Sequence, residues 1–248
     1  KGQLFVSHLG QALKPSEKDG DGYISLFNED LEVLKENVFP GTELNAPKGL
    51  LIHQETLYVA DVDRVLGFDL KTNKLRFEME ISGTVFLNAL ARKNDHEIFV
   101  SASDIHAIFI VNLRDTTYRK LKLPEIDGAN GLSYDEENKK LYVVGFGRES
   151  KPTGSLGVVD FAKEKMTYKI LSSHYGYLDG LVKQNETLYF SDWIKFEKFG
   201  VIYSFNLQKG VLEKVTEKTF AGPADFIIKE KQMIIPELLG SRVTKENL

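Results

Sequence analysis

Hydrophobic and polar positions along this chain follow a phrase that returns at intervals of 41 to 53 residues. Each copy opens with a polar residue two positions ahead of an aliphatic one and runs through a short apolar stretch. A Leu-Tyr-Val-like stretch follows, then a polar turn and a further apolar stretch ending in Asp or Asn. The second stretch reads Leu57-Tyr58-Val59-Ala60, Ile98-Phe99-Val100-Ser101, Leu141-Tyr142-Val143-Val144 and Leu188-Tyr189-Phe190-Ser191. Leu4-Phe5-Val6-Ser7 is an earlier copy and Met233-Ile234-Ile235-Pro236 a degenerate later one. The starts at 4, 57, 98, 141, 188 and 233 are spaced by 53, 41, 43, 47 and 45 residues. Val, Ile, Tyr and Phe crowd these segments, as half-buried strands require. A period of this length, all strand and no helix, predicts an all-β, six-bladed β-propeller. One blade cannot bury both faces of its sheet, so neighbours must stack.

Within a copy the order is innermost, second, third and outer strand. In the second copy these are Gly49 to His53, Leu57 to Ala60, Val65 to Asp69 and Leu75 to Met79. The third, fourth and fifth copies repeat the order from Leu90, Leu132 and Leu181. The first copy lacks an innermost strand before Leu4, and the sixth stops after Ser241 to Lys245 without an outer strand. A ring closed by strand exchange would then take a strand from upstream of Lys1, so an N-terminal segment is expected to be missing. No linker-like stretch interrupts the repeat, which predicts one domain over 1–248. The polar stretch Gln11 to Gly22 reads as a long surface loop in the first blade, matched by Gly147 to Gly154 and Trp193 to Phe199. Its Asp19-Gly20-Asp21 lacks the helix pair and terminal Glu of an EF-hand and reads as a flexible turn.

Composition narrows the function classes. The 32 basic and 36 acidic residues are well mixed, with net charge −4 and no basic stripe, so nucleic acid is not an expected partner. The absence of cysteine removes disulfides, thiolate metal sites and cysteine nucleophiles. No apolar run approaches the roughly 18 residues of a membrane span. No Gly-x-Ser-x-Gly elbow and no P-loop pattern occurs. The opening at Lys1 rather than Met reads as a natural beginning lost to signal-peptide removal or trimming, which leans towards a periplasmic or secreted location.

The residue ahead of each innermost strand carries the candidate chemistry. Aligned copies place Lys48, Asn88, Asn130, Asp179 and Asp225 at equivalent positions. In a propeller such positions converge on one mouth of the central channel. All five are polar. Two Asp and two Asn offer hard oxygen donors, the set a Ca²⁺-like ion takes in its shell of about six to eight oxygens. Neither His nor Cys is present there for a softer ion such as Zn²⁺. The plainer reading is that a channel mouth needs polar residues to hold water, that Asn-Gly and Asp-Gly are common turn dipeptides, and that Lys48 neutralises Asp179 or Asp225.

The phrases Asn130-Gly131-Leu132-Ser133-Tyr134-Asp135 and Leu178-Asp179-Gly180-Leu181 resemble those of the gluconolactonase, senescence-marker-protein (regucalcin) and luciferin-regenerating-enzyme superfamily of six-bladed propellers. Leu44-Asn45-Ala46-Pro47-Lys48-Gly49-Leu50 is also similar to NHL-repeat blades. The first resemblance implies an axial divalent ion held by Asn130 and Asp179, with Asp179 as general base and Asn88 near substrate and metal. The family's ligand Glu would lie in the innermost strand of the first blade, which this chain does not contain. Phe86 stands where lactonases of the family often carry a substrate-gripping Arg. Ala89 replaces a frequent acidic residue, and Lys48 is foreign to the pattern.

The resemblance therefore implies hydrolysis of small lactone-type cyclic esters, with Asp179 or a histidine taking the proton of water. His174, just before the loop carrying Asp179, is the best-placed histidine; His106 and His8 occupy comparable turns, and His53 and His96 read as structural. Trp193 either caps a ligand groove or packs against the next blade. The alternative is a non-catalytic, NHL-like propeller that binds a small molecule or a protein through its loop-bearing face. A lyase using a histidine of that face is a third reading.

Overall fold

The computed structural model describes residues 2–163 and 165–248, so the reading placed on Lys1 lies outside it. The expected strands are present and pair antiparallel with their sequence neighbours. The first sheet holds β1 (Leu4–His8), β2 (Tyr23–Phe27) and β3 (Val33–Lys35). The second holds β4 (Pro47–His53), β5 (Thr56–Asp61), β6 (Arg64–Asp69) and β7 (Leu75–Glu80), and the third β8 (Leu87–Arg92), β9 (Glu97–Ala102), β10 (Ala107–Asn112) and β11 (Thr117–Lys120). The fourth holds β12 (Ala129–Asp135), β13 (Lys140–Gly145), β14 (Gly154–Asp160) and β15 (Thr167–Gly176). The fifth comprises β16 (Leu178–Gln184), β17 (Thr187–Asp192), β18 (Val201–Asn206) and β19 (Val211–Lys214), and the sixth β20 (Ile227–Lys229), β21 (Gln232–Glu237) and β22 (Arg242–Asn247). These are the blades of a six-bladed β-propeller. The chain divides into two compact units, Lys1–Lys120 and Leu121–Leu248, with three sheets in each.

Alternation along single strands explains why the sheets stack. On β5, Leu57 and Val59 enter a core with Ile24, Phe39 and Phe68, whereas Tyr58 and Ala60 enter another with Leu87, Ile98 and Val100. On β17, Leu188 and Phe190 pack with Tyr142, Val144 and Leu156, while Tyr189 packs with Ile202, Phe226 and Met233. Successive side chains point to opposite faces, so these strands are apolar on both and need a neighbour on each side.

The sequence placed the innermost strands of the second to fifth blades two or three residues too late. β4, β8, β12 and β16 all begin ahead of the polar position and carry the same irregularity. Between Pro47↔Asp61 and Leu50↔Val59, two residues of β4 face one of β5. The same two-against-one count recurs between Leu87 and Leu90, Ala129 and Leu132, and Leu178 and Leu181. In the sixth blade, three residues lie between Pro223 and Ile227 while two lie between Glu237 and Ile234. These are β-bulges, which bend a strand and re-aim the extra side chain. Lys48, Asn88, Asn130, Asp179 and Asp225 each occupy one. The bulge leaves a backbone N–H off the ladder, and a serine opposite accepts it: Ala89 N to Ser101 Oγ at 2.8 Å, and Gly180 N to Ser191 Oγ at 2.8 Å.

Glycine follows the polar residue in three bulges because the next innermost strand comes up against it. A Cβ on Gly49 would lie 2.3 Å from the Asn88 carbonyl oxygen, and one on Gly131 would lie 2.2 Å from that of Asp179. Both atoms are backbone and cannot swing away. Gly49→Ala and Gly131→Ala should each lower unfolding stability in urea by about 1–3 kcal/mol, the usual cost of forced overpacking. Gly41→Ala, with nothing within 4 Å of its added Cβ, serves as the neutral control; equal stability of all three would contradict the close approach.

Candidate functional site

In the unit Leu121–Leu248, bulges of three consecutive blades bring Asn130, Asp179 and Asp225 together. The Asn130 amide hydrogen-bonds Asp179, and Asp225 is near enough for its charge to act on Asp179. Asp179 is 9% exposed. Burial, then the Asp225 charge, push its carboxyl up to about 7, against smaller opposing pulls from Trp193 and Asn130. Burial likewise raises Asp225 to about 6, partly offset by the Phe226 N–H at 3.1 Å. The Asp225 side chain is exposed to solvent, and water screens its charge, so the push on it is weaker than on Asp179. No lysine or arginine enters the balance of either group.

Asn88 and Lys48 belong to the unit Lys1–Lys120. Asn88 is half-buried and donates from Nδ2 to Ser103 Oγ at 3.3 Å. The Lys48 ammonium, expected to neutralise a ring carboxylate, instead donates to the carbonyls of Pro15 at 2.6 Å and Ala46 at 2.9 Å and lies 4.6 Å from the centre of the Phe86 ring.

Trp193 takes the packing role. It is 5% exposed and sits edge-on to Phe146 at 5.3 Å and Phe196 at 5.6 Å. Its Nε1 is buried without a completed hydrogen bond, so it acts on Asp179 as a nearby N–H dipole rather than as a well-aligned donor. His174, on β15, places Nε2 2.8 Å from Asp192 Oδ2 and its ring 4.6 Å from that of Tyr203. His8 contacts Ser25 Oγ at 2.6 Å and stacks on Tyr23 at 4.2 Å, and burial holds its pKa below the usual value. His53 reaches the Asp95 carbonyl at 3.2 Å, and His96 pairs with Arg114 at 2.8 Å.

Sequence reasoning missed a set of acids that hold the turns entering the innermost strands. Asp61, fully buried, accepts from the Asn45 and Ala46 N–H groups at 3.1 and 2.8 Å and from Arg64 Nη2 at 3.0 Å. Asp192 accepts from Tyr177 N at 3.2 Å and from Ile194 N at 2.8 Å. Glu237 accepts from Ala221 N at 2.7 Å and from Arg242 Nε at 2.8 Å. The available signal was an acid closing the second strand of a blade, followed within a few residues by Arg at 64 and 242. His174 supplies the side-chain partner for Asp192, which gives it a positioning task in this fold.

No family model matches the chain, and no curated protein matches it. Solved structures do. A chain of a Nidogen/Laminin complex aligns with TM-score 0.71 at 14% identity, covering 100% of this chain and 86% of its own. Virginiamycin B lyase from Staphylococcus aureus, in complex with quinupristin, aligns with TM-score 0.64 at 14% identity over 91% of this chain and 73% of its own. A β-propeller domain from Myceliophteria thermophila aligns at 0.54 and 10% identity over 77% and 62%. At such identities the likeness establishes the propeller fold alone.

Both raised carboxyls retain protons that the unfolded chain, near the ordinary value of 3.8, has released. Their contribution to stability is therefore fully present below pH about 4 and is lost as pH rises through about 6 to 7. Asp225→Asn removes the like charge and should raise the melting temperature at pH 8 in metal-free buffer by about 1–2 °C, since water screens the exposed Asp225 and a chain this size gains about 2–4 °C per kcal/mol. The gain should shrink at pH 5. A melting temperature unchanged at pH 8 would show that the two carboxylates do not repel.

Proposed function

We propose that the chain is a divalent-cation-dependent hydrolase of small lactone-type cyclic esters, working from the bulge residues of the Leu121–Leu248 unit. The observation that carries this reading is the Asp179–Asp225 pair: two neighbouring carboxylates, both raised, with no lysine or arginine balancing them. A bound cation would remove that penalty. The donors are oxygens only, two carboxylates and the Asn130 amide, which fits a hard ion such as Ca²⁺. Among the described residues no group of three or more His, Asp and Glu forms a metal cage, so water and amide oxygens would complete the shell. The resemblance of Asn130-Gly131-Leu132 and Asp179-Gly180-Leu181 to the gluconolactonase-like superfamily supports the same assignment.

When bound, the ion would polarise a lactone carbonyl and lower the pKa of water. Asp179 then has the general-base task. Its carboxylate takes a proton from water as the water oxygen bonds to the acyl carbon, and the proton passes to the ring oxygen as the acyl C–O bond breaks. Asn130 orients Asp179 by its hydrogen bond.

A second reading, ligand or protein binding without catalysis, is favoured by the loop between β17 and β18. Phe196 is 56% exposed there, and Ile194, Phe199 and nearby Tyr175 are also exposed. Such a patch is a common mark of an interaction face. The structural neighbour from a Nidogen/Laminin complex is a protein found in an assembly of proteins.

Two measurements separate the readings. Ca²⁺ should raise the melting temperature at pH 8 much more than at pH 5, because the ligands must be deprotonated; no shift at pH 8 removes the metal site. Asp179→Asn should keep the circular-dichroism spectrum and lose about 10²–10⁴-fold in lactone turnover. Turnover equal to wild type rejects Asp179 as base. A wild-type protein that hydrolyses no lactone in the presence of Ca²⁺ leaves the binding reading.

A further inference from the structure

Lys48 raises a separate question, independent of the metal and hydrolase reading. It is a largely enclosed ammonium whose hydrogen-bond partners are two neutral carbonyls, Pro15 at 2.6 Å and Ala46 at 2.9 Å, with the Phe86 ring face beside it. No ion pair reaches it among the described residues. The two carboxylates whose charge it feels, Asp61 and Asp104, are already engaged. Asp61 holds Arg64 and two turn N–H groups, and Asp104 accepts from Thr84 Oγ1 at 2.6 Å and Val85 N at 2.8 Å. Burial holds Lys48 below the usual lysine range, at about 8. An enclosed cation without a counter-ion is costly, and an anion is what would stabilise it.

The bond to Pro15 comes from a removable part of the structure. Residues 11–22 form a strap whose side chains are mostly exposed, Leu13 included, with Pro15 its more sheltered point. Two side-chain ties hold it between its ends, Pro15 to Lys48 and Lys18 to Asp63 at 2.5 Å; the Gln11 N–H to Asp21 at 2.9 Å closes it on itself, and the Gly22 N–H to the Leu44 carbonyl at 3.0 Å fixes its far end. None of these ties is a packed apolar core. Exchanging the neutral Pro15 carbonyl for a carboxylate on the same ammonium replaces an ordinary hydrogen bond with a charge-assisted one, which is about twice as strong. Local opening of such a segment is cheap compared with global unfolding.

We propose that Lys48 is the anchoring cation of a binding site for a small carboxylate-bearing molecule, which displaces Pro15 and loosens the 11–22 strap. One compact ammonium matches a single carboxylate. A phosphate dianion would call for a second cation or a guanidinium fork, and neither is beside Lys48. The Phe86 face offers an apolar wall for the carbon skeleton of the ligand.

The test is a titration of the ¹⁵N-labelled protein with sodium butyrate against sodium chloride at matched ionic strength, with inorganic phosphate in parallel. Saturable shifts at Ser16, Lys48 and Gly49 are expected in the wild type and in Lys48→Arg. Lys48→Met should raise the butyrate Kd by about tenfold or more, the weight of one charge-assisted bond. The proposal is overturned if the wild type does not saturate, if Lys48→Met binds as well, or if phosphate saturates where butyrate does not. Should Lys48→Met fail to fold, the wild type alone decides by trypsin cleavage after Lys18. Faster nicking in butyrate than in chloride supports displacement of the strap, and equal nicking overturns it.

Discussion

Backbone contact between consecutive innermost strands is the constraint on which the other features depend. Sheets apolar on both faces must stack, and their inner strands meet so closely that the Asn88 and Asp179 carbonyls occupy the space of a side chain on Gly49 and Gly131. That approach places glycine at the second bulge position in three of the five bulges, with Ala89 and Phe226 in the others, and leaves a backbone N–H off the ladder. The hydroxyls of Ser101 and Ser191 take up that N–H in two of the blades. The bulge in turn re-aims the residue ahead of the glycine. The polar positions that stood out in the sequence are thus a by-product of how blades fit together, and they are available for chemistry because the fit has already been made.

The acids of this protein separate into two kinds by what surrounds them. Asp61, Asp192 and Glu237 are as buried as any, yet each accepts from turn N–H groups and faces a cationic or imidazole partner. They hold the turns that feed the innermost strands. Asp179 and Asp225 have amide and indole donors but no charge to balance them, and they act on each other. The first kind is most useful ionised and fixed. The second holds or releases a proton near neutrality, the property expected of a group that binds a cation or moves a proton.

The two units use the same bulge position differently. One carries Asn130, Asp179 and Asp225, which sum to a site short of positive charge. The other carries Lys48 and Asn88, where the ammonium is short of negative charge and a polar strap closes over it. Equivalent backbone places thus have opposite electrostatic needs, and the two proposed ligands, a cation in one unit and a carboxylate in the other, rest on that difference.

Strand positions were legible in the sequence because burial on both faces leaves a direct record: Leu57 to Ala60 and Leu188 to Phe190 are hydrophobic at every step and serve two cores. The turn residues and the equivalence of Lys48, Asn88, Asn130, Asp179 and Asp225 followed from the same period. The strand starts were misjudged because a bulge has no compositional mark, and Pro47 and Leu87 look like turn residues or linkers when the ladder is unseen. Partner choice was not legible at all. Nothing in the spacing said that Lys48 would reach back across the sequence to Pro15, that His174 would be taken by Asp192, or that Trp193 would be packed rather than open. The chain by itself determined which residues are buried and how often the pattern repeats, since hydrophobic periodicity is a local property. Only the tertiary structure decided which charges meet, because that depends on contacts between segments that the local pattern does not encode.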